Sequence, residues 1–259
     1  MPAARPPEWK RLLEGECASS PELRRYATDP REGDCLRLLP RMRSGRALFF
    51  GNALAILPTI LAEQFESVVV ADSDDHRLMV AAERRDTENL TCVRITGAEE
   101  VAARLGQFDL LVLGEERPDA GAWLPFSNSD VPRELARAIV GGGWLMYGVR
   151  FPRLHALTRA VASVSARHAP MLYPAHARLL EAAGFTDVRS YGRWPQSRPY
   201  QFYIPLDDPA AVAYWLGKTQ PPPIRLRRRV GDAAKAILRR LGASQYLFNN
   251  FLVIARRGQ

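Results

Sequence analysis

Cysteine is scarce. The 259 residues hold three, Cys17, Cys35 and Cys92, scattered and with no CxxC among them. That excludes a disulfide framework, speaks against a zinc site, and fits a reducing compartment. No metal ligands are expected. Long apolar runs are also missing: none reaches the ~18 residues that a membrane-spanning helix needs. The stretch MPAARPPEWKRLLEGE contains no apolar h-region, so no secretory signal is expected and the cytoplasm is the expected compartment. There is no internal repeat. The only biased tract is Pro221-Pro222-Pro223, read as a hinge. No nucleic-acid-binding motif is recognisable, so sequence-specific nucleic-acid binding is not expected.

What is present is an ordinary globular composition, 47% hydrophobic and 25% charged, enough for a sizeable core. The net charge of +8 is concentrated. Between Lys218 and Leu241, eight cations (Lys218, Arg225, Arg227, Arg228, Arg229, Lys235, Arg239, Arg240) face Asp232 alone. Val230, Ala233, Ala234, Ile237, Leu238 and Leu241 recur there at helical spacing, which predicts an amphipathic helix with a cationic face. That face either lies in solvent or meets an anionic partner at Arg225–Arg240.

Residues 1–45 read as a helical lead-in, with helical signals at Trp9–Leu13 and Pro21–Arg25. From residue 46, apolar runs alternate with helical patterns. Strands are predicted at Ala47–Phe50, Ser67–Ala71, Thr91–Ile95, Phe108–Leu113, Trp144–Val149, Phe185–Tyr191 and Phe251–Ala255. Helices are predicted at Ala55–Phe65, Arg77–Arg85, Ala98–Leu105, Pro132–Ile139, Leu154–Ala166 and Pro174–Ala183. Gly141-Gly142-Gly143 is read as the close of one helix before the next strand. Strands that are continuous apolar runs, alternating with helices, predict a doubly wound parallel α/β sheet. Trp194–Leu247 reads as irregular and then basic.

The spacing of two residues carries the chemistry. Gly51 follows the first strand and Asp72 ends the second. In a βαβ unit both lie at the carboxyl edge of the sheet, where ligands bind. A glycine turn there lets backbone approach a ligand, and a carboxylate there can accept both hydroxyl protons of a ribose. The plainer alternative for Asp72 is a cap on the next helix. Asp74 and Asp75 are read as caps or solvated charges.

Several segments together resemble the class I S-adenosylmethionine-dependent methyltransferases. Gly51-Asn52-Ala53-Leu54-Ala55 lies where that family has G-x-G-x-G, with Ala53 and Ala55 in place of two glycines. Asp72 falls on the ribose-binding acid. Gln107–Leu113 is similar to the fourth strand, Val140–Leu145 to the turn into the fifth, and Ala177–Val188 to the entry to the sixth. Phe251–Arg256 resembles the seventh. A narrower similarity links Gly192–Ser197 and Ile204–Asp207 to a bacterial subgroup that accompanies sugar and natural-product assembly.

The resemblance implies a seven-stranded, mostly parallel sheet with an antiparallel last strand. Its core would span 46–192 and 248–257, with a lid and basic insertion at 193–247. It implies S-adenosyl-L-methionine as cofactor, bound by Gly51, Asn52, Ala53, Asp72, Ser73, Ala98, Glu99 and Gly114. Ala98 stands where the family has an adenine-contacting acid, with Glu99 one step on. It also implies methyl transfer, oxygen favoured, to a small-molecule or peptide acceptor in specialised or glycan metabolism. The alternative is a methyltransferase fold kept as a binding partner without catalysis, which Ala53 and the altered adenine site favour and the intact Gly51–Asp72 spacing opposes.

Catalytic candidates are Glu115, just past the fourth strand, and His168 and His176, since a neutral hydroxyl needs a base. Each has a plainer reading, as a loop acid or a packing histidine. A carboxylate acceptor would need a cation instead, with Arg150, Arg153 and Arg198 as candidates. Trp194, Tyr200, Phe202 and Tyr203 could line an acceptor pocket or form an ordinary core edge.

Overall fold

The computed structural model describes residues 7–18, 20–40, 45–84, 88–115, 130–150, 173–194, 200–218, 248 and 250–259. The helical lead-in is α1 (Glu8–Cys17), α2 (Pro21–Thr28) and a 3₁₀ helix (Pro30–Leu38). Each of the last two starts on a side-chain cap. Ser20 Oγ accepts from Leu23 N–H, and Asp29 Oδ1 from Arg31 N–H; a proline stands at each helix start, where no amide donor is needed.

Then come β1 (Arg46–Phe50), α3 (Leu57–Ala62), β2 (Ser67–Asp72), α4 (Asp75–Arg84), β3 (Leu90–Arg94), α5 (Ala98–Leu105), β4 (Phe108–Leu113), α6 (Val131–Arg137) and β5 (Ile139–Arg150). The last part holds α7 (Tyr173–Ala182), β6 (Phe185–Trp194), β7 (Phe202–Pro205), α8 (Pro209–Lys218) and β8 (Asn250–Arg257). The strands form one sheet in the order β3-β2-β1-β4-β5-β8-β6-β7. β1 to β5 pair in parallel, and β8 runs antiparallel between β5 and β6. The order reverses between β1 and β4, which leaves the crevice at their carboxyl ends.

Among the described residues the sheet has eight strands where seven were expected. The extra one, β7, forms an antiparallel hairpin with β6 inside the segment read as irregular. The glycine run also behaves differently. β5 begins at Ile139 and passes straight through Gly141–Gly143. Phe108 and Leu110, two apart on β4, face Ile139 and Trp144, five apart on β5. Gly142 takes φ +82°, which lets the strand absorb extra residues as a bulge. The helical stretch expected at 154–166 and the basic helix at 225–241 lie outside the described residues.

Both sheet faces are covered, as continuous apolar strands require. The 3₁₀ helix, α3 and α4 pack on one face over Phe49, Val70, Leu110 and Met146. α5, α6, α7 and α8 pack on the other over Leu48, Leu111, Tyr147 and Val253. Each large apolar side chain buried there contributes about 1.5–3 kcal/mol relative to exposure. A smaller cluster joins α1 and α2 to the β1–α3 turn: Leu13, Cys17 and Ala27 against Leu54, with Val80 of α4.

Two of the cysteines sit inside these layers. Burial raises the Cys17 thiol pKa and pushes that of Cys35 up to about 12, whereas Cys92 is half-buried. Iodoacetamide at about pH 8.5 should therefore modify Cys92 first, and Cys35 only after unfolding. Mass spectrometry of the labelled native protein checks this; Cys35 labelling in step with Cys92 would contradict the packing.

Candidate functional site

The site starts at the β1–α3 turn. Gly51 takes φ +147°, and its Cα lies so near the end of β4 that any Cβ would collide with the Gly114 carbonyl. Only glycine satisfies both conditions. Gly51 N–H donates to Ala71 O and Gly114 N–H to Phe50 O, 2.9 Å each, so the turn continues the parallel ladder. Gly114 is itself fixed by crowding, since a Cβ there would meet the Phe49 ring and the Tyr26 hydroxyl. Asn52 is buried and holds the turn by accepting from Leu54 N–H at 3.0 Å. Ala53 and Ala55 are buried as well, and Ala55 lines the small cavity beside Gly114 and Glu115.

Asp72 ends β2 beside this turn and is 2% exposed. Its Oδ2 accepts from Ala53 N–H and from Arg77 Nε, both at 2.8 Å. Its Oδ1 accepts from Asp74 N–H at 3.1 Å and from Arg77 Nη2 at 2.7 Å. The expected juxtaposition of turn and acid is present, and the acid is already engaged by Arg77. The capping role falls to Asp74, whose Oδ1 accepts from His76 and Arg77 N–H groups at the start of α4. The Arg77 amide is the main cause of a lowered Asp74 pKa. Ser73 is exposed.

Ala98 is buried in the first turn of α5, and Glu99 beside it is exposed. The residue that organises this loop is Glu100. It accepts from Thr96 N–H and the Thr96 hydroxyl and pairs with Arg104.

A second polar group gathers past the ends of β4 and β5. Glu115, read as an exposed loop acid or a substrate contact, is 4% exposed. Arg193 of β6 lies with Nη2 3.5 Å from Glu115 Oε1 and stacks 4.3 Å from the Tyr200 ring centre. Tyr200 is buried and its hydroxyl accepts from Asn250 Nδ2 at 3.0 Å. Arg150, an acceptor-binding candidate, is instead paired with Glu22 of α2, whose hydrogen bond raises its pKa against burial, which lowers it. A cavity of about 50 Å³ remains, lined by Tyr26, Glu32, Cys35, Glu115, Arg193 and Tyr200 among others. Its size suits one or two water molecules, well under the ~300 Å³ of a small-molecule pocket.

Of the histidine candidates, His176 is fully buried on α7. Its Nδ1 lies 3.1 Å from the Tyr147 hydroxyl and its ring is edge-on to Phe251. Burial raises the pKa of Tyr147. The plainer reading of His176, a packed core histidine, accounts for these contacts. Trp194 is half-buried at the end of β6, paired with Phe202. His168, Arg153 and Arg198 lie outside the described residues.

Arg77, Arg193, Tyr26 and Glu22 were missed. Arg193 left a trace in the sequence: a charge inside a strand, matched by a glycine inside the apolar run Trp144–Val149. A Cβ at Gly148 would collide with the Arg193 guanidinium. Arg77 left none, since an arginine in the first turns of a helix is an ordinary surface residue.

The Glu115–Arg193 pair is buried on both sides, so losing one partner strands the other. Glu115→Gln should lower the unfolding free energy by about 3 kcal/mol, and Glu115→Leu with Arg193→Met should recover most of it. Urea unfolding measures both; a Glu115→Gln cost below about 1 kcal/mol would contradict the pairing.

No family model matches this chain, and no curated protein matches it by sequence. Solved structures do. A chain from the complex between the Haloferax volcanii Trm112 methyltransferase activator and a methyltransferase aligns at 13% identity. It covers 97% of this chain and 98% of that one, with TM-score 0.54. The S-adenosylmethionine-dependent methyltransferase of Mesorhizobium loti aligns at 15% identity, over 88% and 99%, with TM-score 0.51. Haemonchus contortus phosphoethanolamine N-methyltransferase 2, solved with S-adenosyl-L-methionine, aligns at 10% identity over 98% of this chain and 61% of its own, TM-score 0.53. The chain has the α/β fold of the S-adenosylmethionine-dependent methyltransferases.

Proposed function

We propose that this protein transfers a methyl group from S-adenosyl-L-methionine to a hydroxyl of a small-molecule or peptide acceptor. The observation that carries the reading is the buried Asp72 carboxylate at the end of β2, bonded to the Ala53 amide of the glycine turn. It stands at the carboxyl end of β2, one strand from the switch between β1 and β4, in the fold that methyltransferases use. Asp72 would hold the ribose, and the backbone of Gly51–Ala53 would border the amino-acid end. The group supplies an already activated methyl on a sulfonium. The chain supplies position: Glu115, compensated by Arg193, is placed past β4 to accept the hydrogen bond of an acceptor hydroxyl and orient its oxygen. Tyr200, bonded by Asn250, stacks on the Arg193 guanidinium. Acceptors from sugar or natural-product assembly suit the similarity at Gly192–Ser197 and Ile204–Asp207.

A second reading has an observation of its own. The acid is fully engaged and the nearby cavity holds about 50 Å³, which suits a fold kept for binding a partner without catalysis. No helix among the described residues is long and apolar enough to cross a membrane, so a bilayer-spanning role is not part of either reading.

Calorimetric titration with S-adenosylmethionine and S-adenosylhomocysteine separates the two. Methyl transfer predicts saturable binding of both, weakened at least tenfold in Asp72→Asn, which keeps the shape and loses a charged acceptor. No heat from either ligand at millimolar concentration would rule out the catalytic reading and leave the binding-partner reading.

A further inference from the structure

The Asp72 carboxylate offers about four acceptor positions, and four donors fill them. Two are backbone amides, Ala53 N–H on Oδ2 and Asp74 N–H on Oδ1. They are fixed by the β1–α3 turn and the β2–α4 turn and cannot leave without unfolding those turns. The other two come from one side chain: Arg77 gives Nε to Oδ2 and Nη2 to Oδ1. The guanidinium therefore places one donor on each oxygen, side by side in a plane. A vicinal diol presents its two hydroxyl donors to a carboxylate in the same arrangement.

We propose that Arg77 is a stand-in for the ribose diol, occupying the nucleoside site of this chain until a ribose displaces it. The inference rests on the cofactor reading above. The exchange balances: the diol takes one position on each oxygen, the two amides stay, and the guanidinium leaves. Arg77 has somewhere to go. Its stem is flexible, its side chain is 17% exposed, and Asp74 Oδ2 lies 3.9 Å from Nε on the solvent side, with Asp74 46% exposed. Asp74 is thus placed to receive the displaced cation, and its exposure makes that pair weaker than the one it replaces. Occupancy then becomes a competition between a tethered arginine and a free nucleoside. The chain's affinity is lowered by whatever the Arg77–Asp72 pair is worth.

The test compares wild type with Arg77→Met by calorimetric titration with S-adenosylhomocysteine, both checked by thermal melting. The proposal expects Arg77→Met to bind at least tenfold more tightly, and Asp72→Asn in that background to remove the gain. Equal or weaker binding by a folded Arg77→Met, with wild type binding measurably, would overturn the stand-in while leaving the cofactor reading intact. No binding by either protein would overturn both. Because Arg77→Met could fail to fold, the wild type gives a second readout. The Arg77 Nε–H resonance, assigned by its loss in Arg77→Lys, should move on saturation with S-adenosylhomocysteine. An unmoved resonance at saturation would overturn the proposal.

Discussion

One buried carboxylate ties together three separate parts of the chain. Asp72 joins the β1–α3 turn through Ala53, the β2–α4 turn through Asp74, and the α4 helix through Arg77. A carboxylate with no partners at 2% exposure would carry an uncompensated desolvation cost of several kcal/mol. Four donors offset that cost, and in doing so they define where the turn, the strand and the helix meet. The turn itself could not close without Gly51, whose conformation and contact with Gly114 both exclude a side chain.

The N-terminal helices then cover this junction. Leu54 of the turn is enclosed by Leu13, Cys17 and Ala27, and Tyr26 O accepts from the Ile56 amide at 3.0 Å. Arg84 of α4, half-buried, donates to Leu54 O at 3.1 Å, and desolvation lowers its pKa. Glu22 of α2 reaches across to Arg150 at the end of β5. The lead-in is therefore part of the site's wall, bonded to both the turn and the far strand, and not an appendage to the sheet. Its helices are short, eight and ten residues, and take their stability from these contacts rather than from length.

What the sequence made legible follows from how local each signal is. Ala98–Leu105 and Phe108–Leu113 were readable to the residue, because a short amphipathic helix and a continuous apolar run each carry their own pattern. The Gly51–Asp72 juxtaposition was readable because a βαβ unit brings two points in sequence to one edge. Gly141–Gly143 misled, since glycine signals a turn locally and only pairing with β4 turns it into a bulge. β7 was hidden because a short edge strand among prolines and aromatics has little pattern of its own. The Glu115–Arg193 pair spans 78 positions, so nothing local joins the two. Arg77 looked like helix surface because its role depends on a carboxylate five residues away in a different element.

Three buried or half-buried ion pairs at this edge share a consequence for any ligand. Asp72 holds Arg77, Glu115 holds Arg193 and Glu22 holds Arg150, each with at least one partner under 10% exposed. A charge exposed to water can bind a ligand by exchanging water, at modest cost. A charge already paired inside the protein can bind only by exchanging one protein bond for one ligand bond, so affinity is set by the difference between them. Specificity improves under that rule, because a ligand missing one donor leaves a buried acceptor unpaired and loses about 1–3 kcal/mol. The same rule couples binding to exchange: a ligand that takes the Arg77 positions on Asp72 or the Glu22 position on Arg150 does so by breaking an internal pair. The geometry of the edge thus makes selectivity and conformational change two aspects of the same internal pairing.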